Sequence, residues 1–214
     1  MRRRALLAGA GGLTVSALSG CLGTAGLDEY EATPAGVDPA VREETGYEQT
    51  DVRDLVVRET VGFGGVSEEI VVTNYLTEHE KSISLGPFGS VRVAAFVLLT
   101  SPQISIAGQA FNPIAEMSTR ELVDLLEADF EGINNVEHVS DGEVRILDQE
   151  TVESIFEGKA QVNGTTVDVN IHITESVQTT NDHLITVGVY PTQVGSSEEE
   201  NVRALMGGVV ERTD

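Results

Sequence analysis

The chain has 214 residues, with 35 Asp and Glu against 13 Lys and Arg, a formal net charge of -22 and one cysteine. That length fits one domain with appendages, at about 100–200 residues per domain. The charge argues against unaided binding to nucleic acid, which needs clustered Lys and Arg, and a lone cysteine excludes an intramolecular disulfide framework, a CxxC redox pair and a multi-cysteine metal centre.

Arg2, Arg3 and Arg4 open the chain and precede a mild, glycine-thinned apolar run from Ala5 to Gly20. The run is shorter than the roughly 20 residues a membrane-spanning helix needs. Charged start, short apolar middle and small-residue exit read as a signal peptide over residues 1–20. Consecutive arginines before a Gly/Ala-rich run fit twin-arginine export better than an ordinary secretory signal, which is the alternative. Leu18-Ser19-Gly20-Cys21 at the exit resembles a lipobox, with cleavage at the Gly20–Cys21 junction. The Cys21 thiolate is the side chain that can be alkylated to a thioether lipid. The competing reading is a buried free cysteine, which a place at the signal exit disfavours. Two alkyl chains on Cys21 would anchor the protein stably where one binds marginally. The expected location is therefore the extracytoplasmic face of the cell membrane.

Residues 21–46 hold Pro34, Pro39, several glycines and many acids without a sustained period. They read as a lipidated, flexible acidic linker spanning roughly 25–30 Å, ahead of a single domain over 47–214. From Asp51 to Val61 and from Ile70 to Leu76 β-branched residues dominate, and Gly62-Phe63-Gly64-Gly65 between them predicts a loose hairpin. Val91 to Thr100 is continuously apolar and predicts a buried central strand, with a helix as the alternative. Ser118-Thr119-Arg120-Glu121 is a capping box. It opens a helix carrying Leu122, Leu125, Leu126 and Phe130, with Gly132 as its stop.

Asn163-Gly164 predicts a type I′ turn, because both residues tolerate positive φ. After it, Val167, Val169, Ile171 and Ile173 alternate with Asp168, Asn170, His172 and Thr174, the pattern of a half-buried strand with one wet face. Thr151 to Val162 is its expected hairpin partner, and Leu184 to Tyr190 continues the antiparallel set until Pro191. Ser196 and Ser197 are expected to cap a last helix with Val202, Leu205, Met206 and Val209.

These elements predict an α+β fold, a twisted antiparallel sheet covered by two helices. Over about residues 90–214 the order resembles the PsbP-like fold, which implies an α/β/α sandwich and no particular activity. Removing residues 1–20 takes away three arginines and no acid, so the net charge moves from -22 to -25. Lysine is confined to Lys81 and Lys159. Acidity, scarce lysine, the export signal and the Cys21 motif together resemble haloarchaeal surface lipoproteins, most of them of unknown function. The resemblance implies a chain that loses compactness at low salt, measurable by circular dichroism against NaCl concentration. At 1 M salt the Debye length is about 3 Å, which screens such self-repulsion.

Motifs for chemistry are sparse. Gly62-Phe63-Gly64-Gly65-Val66-Ser67 has Ser where a dinucleotide fingerprint needs its third glycine, and a strand follows instead of a helix. His79-Glu80 lacks the second zincin histidine, since that place holds Ile83. His172 and His183 with Asp168, Asn170 and Asp182 could in principle gather a metal. The stronger reading is solvent-facing histidines on the polar side of the strand, because Asp168 and His172 stand about 13 Å apart on an extended chain. Glu198 to Glu200 are expected to favour the positive end of the last helix. No cofactor or metal is expected, beyond diffuse weak cation binding by the acidic surface. Asn163-Gly164-Thr165 is also an N-glycosylation sequon. The function expected is a non-catalytic accessory or interaction module with an envelope protein partner. Alternatives are a small-molecule carrier with a pocket between sheet and helix, and, behind it, a hydrolase.

Overall fold

The computed structural model describes residues 28–63, 66–84, 90–106, 109–110, 114–129, 133–162 and 164–213. The signal segment, Gly20, Cys21 and Asn163 lie outside these. Among the described residues 64% are strand and 21% helix. The strands are β1 (Asp28–Glu31), β2 (Gly36–Val37), β3 (Glu48–Phe63), β4 (Val66–Ser84), β5 (Ser90–Pro102), β6 (Ser105–Ile106), β7 (Gln109–Ala110), β8 (Ile133–Ile146), β9 (Gln149–Val162), β10 (Thr165–Thr174), β11 (Val177–Gln178), β12 (Asp182–Pro191) and β13 (Val209–Val210). The helices are α1 (Pro39–Thr45), α2 (Thr119–Asp129) and α3 (Gly195–Gly207).

A nine-stranded sheet runs β1-β4-β5-β12-β10-β9-β8, with β3 added to β4 and β11 to β12. β1 pairs with β4 in parallel, at Asp28↔Ile70 to Glu31↔Thr73, and the other pairings of the sheet are antiparallel. A strand has two edges. β3 occupies one edge of β4, so β1 and β5 share the other, and β3 and β8 close the two ends of the sheet.

This architecture corrects the expected fold class. The protein is a large mixed sheet with short helices, not a PsbP-like α/β/α sandwich with two covering helices. Lengths explain why. The 11 residues of α2 and 13 of α3 rise about 16 and 20 Å, whereas the 16 and 19 residues of β3 and β4 extend more than about 50 Å. Helices that short cannot roof strands that long.

Two apolar clusters flank the sheet. On one face Val202, Leu205 and Met206 of α3 pack on Phe96, Leu98, Leu184 and Tyr190. On the other, Leu122 and Val123 of α2 pack on Phe156, Val169, Ile171, Ile173 and Ile185. The strand alternation of β10 delivers Ile171 and Ile173 to the second face and His172 and Thr174 to the first. The Ser118 capping box forms, its backbone N–H donating to Glu121 Oε2 at 2.9 Å. By contrast α3 begins at Gly195, ahead of the expected serine caps, and Ser197 Oγ donates back to Val194 O at 3.0 Å.

The stretch expected to be linker is folded from Asp28 onward. Ala32, Ala35 and Val37 are buried, β2 pairs with β13, and Asp38 caps α1 with Pro39 in its first turn. Small residues achieve this because Gly36 and Ala35 fit where a larger side chain would collide. A Cβ on Gly36 would meet Thr213 at 3.0 Å. The hairpin after Asp51 is also longer and tighter than expected, since pairing continues to Phe63↔Val66.

Candidate functional site

Beneath α3, three strands bring together side chains that sequence spacing keeps apart. His172 on β10 accepts or donates at both ring nitrogens: Nδ1 is 2.6 Å from Glu153 Oε1 on β9, and Nε2 is 2.7 Å from the Tyr190 hydroxyl on β12. Arg203 of α3 donates from Nε to Glu153 Oε2 at 2.9 Å and pairs with Glu199. Glu153 and His172 are fully buried and Tyr190 nearly so. Burial raises the Glu153 carboxyl, but hydrogen bonds from His172 and Arg203, with the Arg203 charge, outweigh it and leave the group below its ordinary range. Burial pushes the Tyr190 hydroxyl up to about 12, against the pull of the Asn170 side chain.

The order Glu–His–Tyr echoes a nucleophilic triad, but the roles do not follow. A hydroxyl held protonated and buried in the core that α3 packs on cannot meet a substrate. A proton on Nδ1 satisfies the ring completely, donating to Glu153 and accepting from Tyr190. The arrangement is a buried polar clamp holding α3 to the sheet. A second clamp acts at the other end of the helix. Glu198 accepts from the Tyr47 hydroxyl at 3.0 Å, from Lys81 Nζ at 2.6 Å and from Asn201. Glu198 is therefore a buried ion-pair partner, and helix-dipole stabilisation was too small a role to expect of it.

His172 is thus corrected from solvent-facing to fully buried. Its strand has no wet face over its second half, because α3 covers the polar side. Asp168 instead lies on the surface, 2.7 Å from Lys159 Nζ, while Asp182 is buried and accepts from Thr33 N at 3.0 Å. His183 contacts Ser176 Oγ at 3.3 Å, far along β12 from His172. No group of three metal-ligating side chains occurs among the described residues. His79 of the rejected zincin-like pair is fully buried, tilted against Phe96 with 6.1 Å between ring centroids. Gly164 has φ +79°, as the Asn-Gly turn requires, with Asn163 itself outside the described residues.

The surface feature that stands out is the outer edge of β3. Among the described residues β3 pairs with β4 alone. From Asp51 to Val56 every side chain is exposed, including Val52 at 37%, Leu55 at 47% and Val56 at 43%. Apart from a bulge between Gln49 and Asp51 the strand is regular. The opposite edge, β8, differs: it is broken by irregularities at Asn134/Glu137 and His138/Ser140, with Asn135 at φ 54°. Bulges protect an edge from strand addition, and a straight edge with apolar side chains invites it. Beside β3 a polar depression of about 100 Å³ is lined by Gly46, Glu48, Thr50, Glu80 and Ser82, small against the roughly 300 Å³ of a ligand pocket. No described helix is long and apolar enough to cross a membrane.

No curated protein matches the chain. Residues 34–210, starting within the segment expected to be linker, match the family model described as a domain of unknown function, DUF6517. The chain belongs to that family.

Proposed function

We propose that the protein is a lipid-anchored extracytoplasmic module that docks a partner strand along β3 and performs no chemistry of its own. The observation carrying this reading is the uncovered, regular β3 edge with exposed Val52, Leu55 and Val56. Strand addition supplies main-chain hydrogen bonds for affinity and alternate side chains for specificity. Anchoring rests on the Cys21 motif. The described residues begin at Asp28, seven positions after Cys21, so the domain would sit within about 25 Å of the lipid. The carrier alternative needs space between the sheet and a helix, and at α3 the side chains of Val202, Leu205 and Met206 are fully buried.

A photo-crosslinking residue at position 55, displayed in native membranes in molar salt, tests both halves. An adduct should form from position 55, and Cys21→Ser should release the chain or leave the precursor uncleaved. A processed, membrane-retained Cys21→Ser protein would defeat the anchor, and an inert position 55 would defeat the docking edge.

A further inference from the structure

The occupant of the β3 edge is written in β3 itself. Two copies of a strand related by a closed two-fold axis pair antiparallel, and the same surface meets itself. If the sheet is to continue across the axis, directly opposed residues must lie on the same face, so their numbers must have the same parity. Near the middle of β3 this leaves three self-registers, centred on Leu55, Val56 or Val57.

Only the middle one is complementary. Centred on Val56, it sets Leu55 opposite Val57, Asp54 opposite Arg58, Arg53 opposite Glu59 and Val52 opposite Thr60, each twice by symmetry. Both kinds of charged pair are opposite in sign, and the apolar residues meet at the axis. Centring on Leu55 sets Asp51 against Glu59 and Arg53 against Val57. Centring on Val57 sets Leu55 against Glu59 and Val56 against Arg58. Neither yields an ion pair. Directly opposed cross-strand charges of opposite sign stabilise pairing, and like charges oppose it.

Among the described residues no strand but β4 pairs with β3. Residues 51–63 of β3 keep unbroken register with β4, and Asp51 to Thr60 offer about 34 Å of edge. Arg53 is 48% exposed while already 2.6 Å from Glu78, and its planar fork has donors to spare for a second carboxylate. The lipid tether adds to this by holding copies in one plane, which raises their effective concentration.

We propose that the partner on this edge is a second copy of the chain, joined antiparallel through β3 about an axis at Val56, so that two sheets become one. The proposal rests on the docking reading above and names its partner. Cysteine pairs test the register. With Val56→Cys the two copies face each other at about 4.5–5.5 Å between Cα atoms, within disulfide reach. Leu55→Cys copies are offset by two residues, roughly 8 Å apart and out of reach.

In native membranes under mild oxidant, Val56→Cys should give a reducible species of twice the chain mass, absent from the parent chain. Leu55→Cys alone should not, but Leu55→Cys expressed together with Val57→Cys should. Adding Asp54→Arg should lower the Val56→Cys yield several-fold, and adding Arg58→Asp to the same chain should restore it. The two positions lie about 13 Å apart within one strand, so restoration reports the partner's residue. No dimer from Val56→Cys, or equal yield from Leu55→Cys alone, overturns the proposal. Adducts from position 55 to a different protein, with no dimer, overturn self-pairing and leave the docking module standing. No adduct of either kind overturns both.

Discussion

Gly188 of β12 lies flat beneath Val202 of α3: a Cβ built on the glycine would stand 2.6 Å from Val202 Cγ1 and 2.9 Å from Cγ2. Gly188 is also the cross-strand neighbour of His172. The missing side chain thus lets α3 descend far enough for Arg203 to reach Glu153. Gly188→Ala should destabilise the fold by about 1–3 kcal/mol, the usual cost of overpacking. Val202→Ala alone should also cost stability by leaving a void. The double variant should lose clearly less than the two costs added, as contacting sites do. Denaturant unfolding in molar salt reads the cycle, and additive losses would show that the helix does not rest on Gly188.

Glu153 joins His172 to Arg203, and its two nearest substitutions should separate charge from hydrogen bonding. Glu153→Ala strands the His172 Nδ1 proton in the core, at a cost of about 3 kcal/mol, as for a broken buried pair. Glu153→Gln keeps the shape. Its amide can donate to Nδ1 while its oxygen accepts from Arg203, provided the ring proton moves to Nε2. We expect a loss nearer 1 kcal/mol, with the tautomer exchanged in the imidazole ¹⁵N shifts. An unchanged tautomer with the same small loss would contradict this wiring.

What was legible in the sequence was local. The Ser118/Glu121 cap is encoded within four residues and forms, and Gly164 takes the positive φ expected of it. The burial of His172 was not legible, because alternation identifies Ile171 and Ile173 as inward but cannot say whether a distant helix covers the other side. Its partners, Glu153 and Tyr190, lie 19 and 18 residues away. The outer part of β4 was hidden for a related reason: Thr77 and His79 are polar yet fully buried. Two irregularities in β8 broke the period of two that would have marked it. Residues 28–46 carry no readable period because their elements are too short for one. Small buried residues carried the information instead. The β3 residues read as a strand from their β-branched run, but that β3 has one partner among the described residues depends on which strands pair elsewhere.

The turn between β8 and β9 is built from Leu147 and Asp148, at φ 48° and 61°. Left-handed backbone costs a non-glycine residue roughly 1 kcal/mol. Leu147 packs against the α3-side core, whereas Asp148 is exposed. Asp148→Gly should therefore stabilise by about 0.5–1 kcal/mol, while Gly164→Ala, at φ 79°, should destabilise by a similar amount. Midpoints of thermal unfolding decide both signs. A destabilised Asp148→Gly would show that the carboxylate does something in the turn beyond tolerating its geometry.

His79 links stability to pH. Burial, aided by the positive charge of Arg42 and opposed by the Phe96 carbonyl, lowers its pKa from 6.5 to about 4. Neither ring nitrogen has a well-formed hydrogen bond, so the ring is held neutral. Between pH 6.5 and 4 the unfolded chain therefore binds a proton that the folded chain refuses. Stability is complete above pH 6.5 and falls as pH drops towards 4, by up to about 3 kcal/mol. His79→Leu removes the titration and two unpaired polar atoms while keeping an apolar neighbour for Phe96. The variant should equal or exceed the parent at pH 7.5, since replacing an unsatisfied buried polar group is neutral or favourable. Its advantage should then widen as the pH is lowered to 4.5. The carboxylates titrate in both proteins and cancel in the difference. A difference that stays constant from pH 7.5 to 4.5 would mean that His79 already carries its proton in the fold.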